Sequence, residues 1–330
     1  MSETFNAVVA NEIDGKTKAQ LQRLTLKDLP DEDVLVGVSY SSLNFKDGLA
    51  VTGKRNICKR FPMVCGIDLA GTVLESSSDK YKAGDLVLAN GYGLGESYWG
   101  GYSQKARINS DFLVKVPTEF NLQETMAIGT AGYTAMLSVL MLERQGIKPG
   151  DGKILVTGAA GGVGSVAVSI LSNLGYEVVA STGRPEAHAY LTDLGASSFI
   201  DRIELSAKGE PLSVEKWAGA VDTVGSQTLA NVLAQTRRGG CVTACGLASG
   251  FDLPSTVFPF ILRGVILAGI DSVMANMELR IQAWARLASD LPKEKINKIS
   301  RVEPMSKIPE LAEQIVAGKV RGRVVIDVNT

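Results

Sequence analysis

The stretch of this 330-residue sequence that most directly specifies chemistry lies around residue 158. An apolar run, Ile154-Leu-Val-Thr157, enters Gly158-Ala-Ala-Gly-Gly-Val-Gly164, and Ser165-Val-Ala-Val-Ser-Ile-Leu171 continues as a helix. Gly161, Gly162 and Gly164, with Val163 among them, let the backbone turn tightly and approach a diphosphate, whose charge meets the free N–H groups and positive dipole at the helix start. A site for NAD presents a carboxylate to the ribose hydroxyls about 20 residues further on. Here that place reads Ser181-Thr182-Gly183-Arg184. With no acid to repel a 2′-phosphate, and two hydroxyls and a guanidinium to bind it, the pattern predicts NADPH over NADH. Arg202, after the next apolar run, is a second candidate for that phosphate. The plainer readings are glycines that serve only helix–strand packing, and an Arg184 that is merely solvated before Pro185.

A site of this kind needs a parallel sheet to hold it. Between residues 153 and 273, apolar runs at 154–156, 177–181, 198–201, 220–224, 241–245 and 265–270 alternate with helical or polar connections. That rhythm predicts an α/β class: a doubly wound parallel sheet of six strands with helices on both faces. Ligands lie at the carboxyl ends of such strands, so Gly225, Leu247 and Ser272 are expected to line the nicotinamide half. The first third of the chain lacks the rhythm. Short strands at 5–9, 34–40, 71–74, 86–88 and 104–108 lie between turn clusters, which predicts a mostly β region. Residues 91–102 are glycine-rich and aromatic, a loop whose backbone approaches a ligand or a flexible linker. Small and apolar residues from 122 to 143 predict a helix, as does 277–291, and 323–328 reads as a last strand returning to the β region.

Composition excludes several classes. Lys+Arg number 34 against 35 Asp+Glu, so no basic field draws the chain to nucleic acid or acidic lipid. Residues 1–16 hold no leader-like apolar core. The longest apolar stretch, 257–270, is broken by Pro259 and Arg263 and is shorter than the ~20 residues that span a bilayer, so a soluble cytoplasmic protein is expected. Cys58, Cys65, Cys241 and Cys245 lack the spacing of a zinc ribbon or a disulfide framework and read as reduced, buried thiols. A single histidine, His188, removes HExxH zinc chemistry and reads as an exposed helical residue. Residues 48–55 nearly spell a P-loop, but Arg55 stands where Ser or Thr would hold magnesium. No tyrosine has a lysine four positions later, which excludes the Tyr-xxx-Lys pair of short-chain reductases.

The segments Ser42-Leu-Asn-Phe-Lys-Asp47, 62–71 (Pro-Met-Val-Cys-Gly-Ile-Asp-Leu-Ala-Gly), Gly129-Thr-Ala-Gly-Tyr-Thr-Ala135 and 158–164, in this order, resemble the medium-chain dehydrogenase/reductase superfamily. Within it, Gly95-Glu-Ser-Tyr-Trp-Gly-Gly101, 218–225 and Pro259-Phe-Ile-Leu-Arg263 are similar to the zinc-free acryloyl-CoA reductases, a group also described as NADPH quinone oxidoreductases. The resemblance implies a Rossmann NADPH-binding domain at 125–273 and a β-rich GroES-like catalytic domain at 1–124 and 274–330. It also implies a homodimer joined through the last Rossmann strand, around 265–272. Where zinc alcohol dehydrogenases carry a cysteine ligand this chain has Asn44-Phe-Lys-Asp47, and their Gly-His-Glu reads Gly66-Ile-Asp68. Residues 90–112 contain no cysteine for a structural zinc lobe. A site without zinc suits hydride addition to an activated C=C or a quinone.

For acryloyl-CoA, hydride would reach Cβ, charge would build on the thioester oxygen, and Cα would take a proton to give propanoyl-CoA. Asn44 and Asp47 are the catalytic candidates on the resembling loop, with Lys46, Tyr92 and Tyr98 as further polar contacts. Phe45 and Arg323 complete the expected coenzyme set. A donor tyrosine of related enoyl-thioester reductases would fall near Arg55, which leaves the proton source open, water included. Lys54, Arg55, Lys59 and Arg60 could receive the CoA phosphates, or be a solvated face. The alternatives are an NADPH:quinone oxidoreductase and a non-catalytic NADPH-binding protein.

Overall fold

A computed structural model describes residues 4–330; Met1–Glu3, the start of the stretch read as lacking a leader, lie outside the described residues. The chain divides into two compact units: residues 1–130, 273–276 and 296–330 form one, and residues 131–272 and 277–295 the other.

In the first unit, β1 (Thr4–Ile13) and β2 (Lys16–Thr25) form a hairpin closed by Asp14 and Gly15, both at positive φ, the backbone that a two-residue hairpin turn demands. The unit continues with β3 (Val34–Ser42), α1 (Phe45–Thr52), β4 (Met63–Val64), β5 (Asp68–Ser76), β6 (Leu86–Asn90), β7 (Lys105–Ile108) and β8 (Leu113–Lys115). β2 had no sequence signal because its residues are mostly polar and none of them is buried. The chain then runs through α2 (Leu122–Arg144), whose helical path breaks at Gly129. By length and hydropathy α2 could cross a bilayer, and it outranks the 257–270 stretch in this respect. Yet 83% of its most apolar window is buried inside the protein, so it is a core helix.

The second unit holds six parallel strands: β9 (Ile154–Val156), β10 (Val178–Thr182), β11 (Ser198–Asp201), β12 (Trp217–Asp222), β13 (Thr236–Ala244) and β14 (Ile266–Gly269). Their order, β11-β10-β9-β12-β13-β14, is that of the doubly wound dinucleotide fold, as the alternation predicted. Helices α3 (Gly162–Asn173), α4 (His188–Leu194), α5 (Ile203–Ser206), α6 (Ser226–Gln235) and α7 (Phe258–Arg263) connect them. β9 is wholly buried and wholly apolar, because helices cover both faces of a parallel sheet. Leu155, Val179, Ala220, Val232 and Val242 form the core beneath it. α8 (Met277–Asp290) belongs here as well, and the expected domain boundaries shift accordingly. It buries Ala283, Trp284 and Leu287, and Arg286 donates to both oxygens of Glu143 at 2.8 Å.

Through α9 (Lys293–Ile299) the chain returns to the first unit, adding β15 (Ser300–Pro304), α10 (Ile308–Val316) and β16 (Arg323–Asp327). β16 pairs antiparallel with β3, Val325 opposite Ser42, inside a seven-stranded sheet. A three-stranded sheet, β2-β1-β4, is the unit's other layer.

Candidate active site

The second unit presents an anion-binding turn at the end of β9. α3 follows Gly161, its N-cap, whose lack of a side chain leaves the helix start uncapped, and no acid occupies its first turn. The first N–H groups of a helix have no partner within it. Residues 161–163 are half-exposed, so these donors face a ligand or water. Gly164 is required for another reason: a Cβ there would come within 2.4 Å of the Gly158 carbonyl oxygen, so the helix packs against the turn only as glycine. Asp222, buried at the end of β12, ties the turn down. It accepts from the Thr157 hydroxyl at 2.7 Å and from the Gly225 N–H at 2.8 Å, and burial raises its carboxyl above the usual range. The turn fits a pyridine dinucleotide's diphosphate.

Ser181 and Thr182 end β10, and the Thr182 hydroxyl accepts the Arg184 N–H at 3.2 Å. Arg202 lies across Gly183, where a Cβ would meet its Nε at 2.4 Å. Absence of a side chain at 183 therefore lets the Arg202 guanidinium lie over the backbone just before Arg184. Together with the acid-free turn, two cations at this strand end fit a phosphorylated ribose. Leu247 is exposed just beyond β13, and Ser272, beyond β14, offers its carbonyl to Arg280 at 3.4 Å.

A different kind of polar site occupies the first unit. Arg323 is 2% exposed. Its Nε donates to Ala127 O at 3.0 Å, Nη1 to Leu43 O at 3.0 Å and Asn44 Oδ1 at 3.1 Å, and Nη2 to Ser42 Oγ at 2.7 Å. The Asp68 carboxylate lies 3.9 Å from Nη2. It also accepts from the hydroxyls of Ser42 and Thr130, the Thr130 N–H at 2.9 Å and Asn44 Nδ2 at 2.9 Å. Gly129 makes this closure possible at φ +50°, since a Cβ there would stand 2.6–2.7 Å from Arg323 Nη2, Asp68 Oδ2 and Ser42 Oγ. Next to it, Asp47 accepts the N–H groups of Asn44 and Ile67, each at 2.9 Å. Burial, reinforced by the Asp68 charge, pushes the Asp47 carboxyl up to about 7.

Three residues expected at the coenzyme or the reacting atoms lie in this cluster. Arg323, expected at the coenzyme, is buried and directs its donors to the cluster. Of the two catalytic candidates, Asp47 fixes the turn from β3 to α1 and the start of β5, and Asn44, 8% exposed, directs its amide to Asp47, Asp68 and Arg323. Phe45, by contrast, opens α1 with its ring exposed. Lys46 pairs with Glu96 at 3.1 Å. Tyr92 stacks on Phe112 at 4.7 Å between centroids, and Tyr98 meets the same ring edge-on. Sequence reasoning missed Asp68, Ser42, Thr130 and Asp222, although all lie in the segments that carried the resemblance or beside the glycine turn. His188, expected to be exposed, is half-buried and stacked on Phe199 at 4.0 Å.

Residues 30–118 match the alcohol dehydrogenase GroES-like domain and 162–289 the zinc-binding dehydrogenase family. Acrylyl-CoA reductase AcuI of Ruegeria pomeroyi is 51% identical over 328 residues, covering 98% of this chain and 99% of that one. The chain belongs to the medium-chain dehydrogenase/reductase family, in its zinc-free branch. Two solved members of the family are similar throughout. The yhdH oxidoreductase of Salmonella enterica, in complex with NADP, has a TM-score of 0.96 at 49% identity, covering 98% and 99% of the two chains. The Bacillus subtilis protein yhfP with NAD bound has a TM-score of 0.95 at 43% identity, covering 99% and 100%; the curated name of YhfP is that of a quinone oxidoreductase. Among the described residues, no three His, Cys, Asp or Glu side chains gather to hold a metal.

Proposed function

We propose that this protein is an NADPH-dependent reductase of an α,β-unsaturated CoA thioester, converting acryloyl-CoA to propanoyl-CoA without a metal. The observation that carries the coenzyme assignment is Arg184 after β10, whose end Ser181–Arg184 itself carries no acid, with Arg202 lying over Gly183, beside an uncapped helix start. Identity of 51% to an acrylyl-CoA reductase over nearly the whole chain supports the substrate class.

When bound, NADPH supplies the hydride. The N–H groups of Gly162, Val163 and Gly164 hold the diphosphate, with Gly161 leaving room for its approach. Arg184 and Arg202, with Ser181, Thr182 and the bare Gly183, hold the 2′-phosphate. Leu247 and Ser272 contribute nicotinamide-end contacts. The Asn44 turn is positioned by Asp47, Asp68 and Arg323, so the groups of residues 44–46 meet the thioester in a fixed geometry, which lowers the entropic part of the barrier. We place the protein in the cytoplasm and assign it a homodimer joined at β14. That strand is the sheet's edge and pairs only on its β13 side, with Ile266 exposed and Ile261 and Leu262 exposed on α7.

The test follows NADPH oxidation with acryloyl-CoA, with a benzoquinone and with no acceptor, beside calorimetry of NADPH and NADH. Turnover of acryloyl-CoA with tighter NADPH binding is the expected outcome. Turnover of the quinone alone would transfer the assignment to quinone reduction, for which the name of YhfP speaks. Tight NADPH binding without turnover would make it a binding protein. Light scattering at micromolar concentration checks the dimer.

A further inference from the structure

The basic run at 54–60 and the glycine-rich aromatic loop at 91–102, separate in sequence, form one ledge in the first unit. The Lys59 N–H donates to Glu96 O at 2.8 Å, and Trp99 Nε1 donates to Pro62 O at 3.0 Å. Arg60 lies over the Tyr98 ring, 5.8 Å from its centroid, and Tyr98 meets Phe112 edge-on at 5.0 Å. A shallow depression there, with room for about one water, is lined by Arg60, Tyr98, Trp99, Phe112, Arg107 and Glu32 among others, and Arg60 is the cation of the basic run that borders it.

Charge on this ledge is unbalanced. Lys54 is neutralised by Glu313 at 2.6 Å, and Arg107 by Glu75 at 3.6 Å. Arg55, Lys59 and Arg60 are exposed and have no ion pair among the described residues. Three uncompensated cations, of which Arg60 lies over the Tyr98 ring, suit a ligand with both phosphates and a flat base: phosphates take charge-assisted hydrogen bonds, and the base stacks on a ring or guanidinium. Glu32 in the depression adds an acceptor for an exocyclic amine, which inorganic phosphate would not use. The ledge is also joined to the Asn44 turn. Glu96, whose carbonyl receives Lys59, holds Lys46 with its carboxylate at 3.1 Å, and Lys46 is two residues from Asn44.

We propose that this exposed ledge, through Arg55, Lys59, Arg60 and the face of Tyr98, binds the 3′-phosphorylated adenosine diphosphate end of the CoA thioester. The inference rests on the reading of the protein as a CoA-thioester reductase and adds where the nucleotide is gripped. The thioester's reacting end makes no use of the ledge, so nucleotide binding and chemistry separate.

Two measurements on the wild type and on the Lys59→Ala/Arg60→Ala variant test this. In the first, kinetics compare acryloyl-CoA with acryloyl-pantetheine, which lacks the nucleotide. The variant is expected to raise KM for acryloyl-CoA by about tenfold or more with kcat unchanged, and to leave acryloyl-pantetheine unaffected. An equal rise for both substrates, or none for either, overturns the proposal. In the second, adenosine 3′,5′-bisphosphate is titrated calorimetrically into the protein saturated with NADP, which keeps the coenzyme's own phosphate site filled. Binding that weakens about tenfold in the variant supports the ledge, and absence of binding, or equal binding in both proteins, overturns it. If neither thioester is reduced, the functional reading fails, and the calorimetry still decides the ledge.

Discussion

The turn before α3 and the cluster around Arg323 are both polar, both glycine-dependent and both built where a strand meets a helix, yet they differ in what they leave undone. At the turn, the helix start is uncapped and half-exposed. In the cluster, Arg323 makes four hydrogen bonds and an ion contact at 2% exposure, and Asp68 accepts four hydrogen bonds. A ligand site shows itself by unspent hydrogen-bonding capacity, since only a ligand or water completes it. A saturated network shows instead where the protein stores positional accuracy, because a buried polar group without its partners is costly.

The largest expected effect tests whether the cluster is structural. Gly129→Ala places a Cβ at positive φ among Arg323, Asp68 and Ser42, and Arg323→Ala strands the Asp68 carboxylate in the interior. Removing one member of a buried pair costs roughly 3–5 kcal/mol, and urea denaturation of each variant should show a loss of that order. NADPH affinity of the folded Arg323→Ala protein should be unchanged. A stable variant with weakened NADPH binding would return Arg323 to the coenzyme and erase the distinction between the two sites.

Next comes Arg184→Ala, at the open turn. Losing a charge-assisted contact to the 2′-phosphate should weaken NADPH binding by about 1.5–3 kcal/mol, or more than tenfold, and leave NADH binding and thermal stability as they were. Calorimetry with both coenzymes decides it. A parallel loss for NADH would place Arg184 on the shared part of the dinucleotide.

That contrast also marks what the sequence could disclose. The turn was legible because its signals are local: Gly158 to Gly164, then Ser181 to Arg184, on consecutive strands whose alternation fixes where each ends. The cluster was not, because its members come from residues 42–47, 68, 127–130 and 323, brought together only by β3–β16 pairing and the break at Gly129. The resemblance suggested Asn44 and Asp47 as catalytic and Arg323 as coenzyme-binding, but the hydrogen bonds that join all three in one buried cluster carry no local sequence signal. β2 was hidden for the reverse reason, since a hairpin strand with no buried residue carries no apolar pattern. The domain boundary moved because the apolar face of α8 is complementary to the α/β unit, a match of surfaces that periodicity does not encode.

A smaller effect concerns pH. With its carboxyl held near 7 when folded, against about 3.9 in an unfolded chain, Asp47 binds its proton more tightly in the native state. Its contribution to stability is therefore fully present below about pH 4 and lost as the pH rises through 7, levelling off above. Melting temperatures of wild type and Asp47→Asn between pH 4 and 8 should differ in slope, the variant's falling less across the upper half of the range. Equal slopes would mean that Asp47 is ionised in the native protein and that its two N–H donors outweigh burial.

The smallest effect expected is that of Arg202→Ala. Its guanidinium is exposed and rests over Gly183, so screening should hold its share of 2′-phosphate binding to about 0.5–1 kcal/mol, a two- to fivefold loss measured calorimetrically. At an open site such contacts act independently. The losses of Arg184→Ala and Arg202→Ala should therefore add in the double variant to within about 0.5 kcal/mol. In the cluster the opposite holds: Asp68→Asn and Arg323→Ala share a partner, and their double variant should be less unstable than the sum by an amount on the order of 1–3 kcal/mol. Additivity in the cluster, or strong coupling at the turn, would mean that saturation does not separate positioning from binding in this protein.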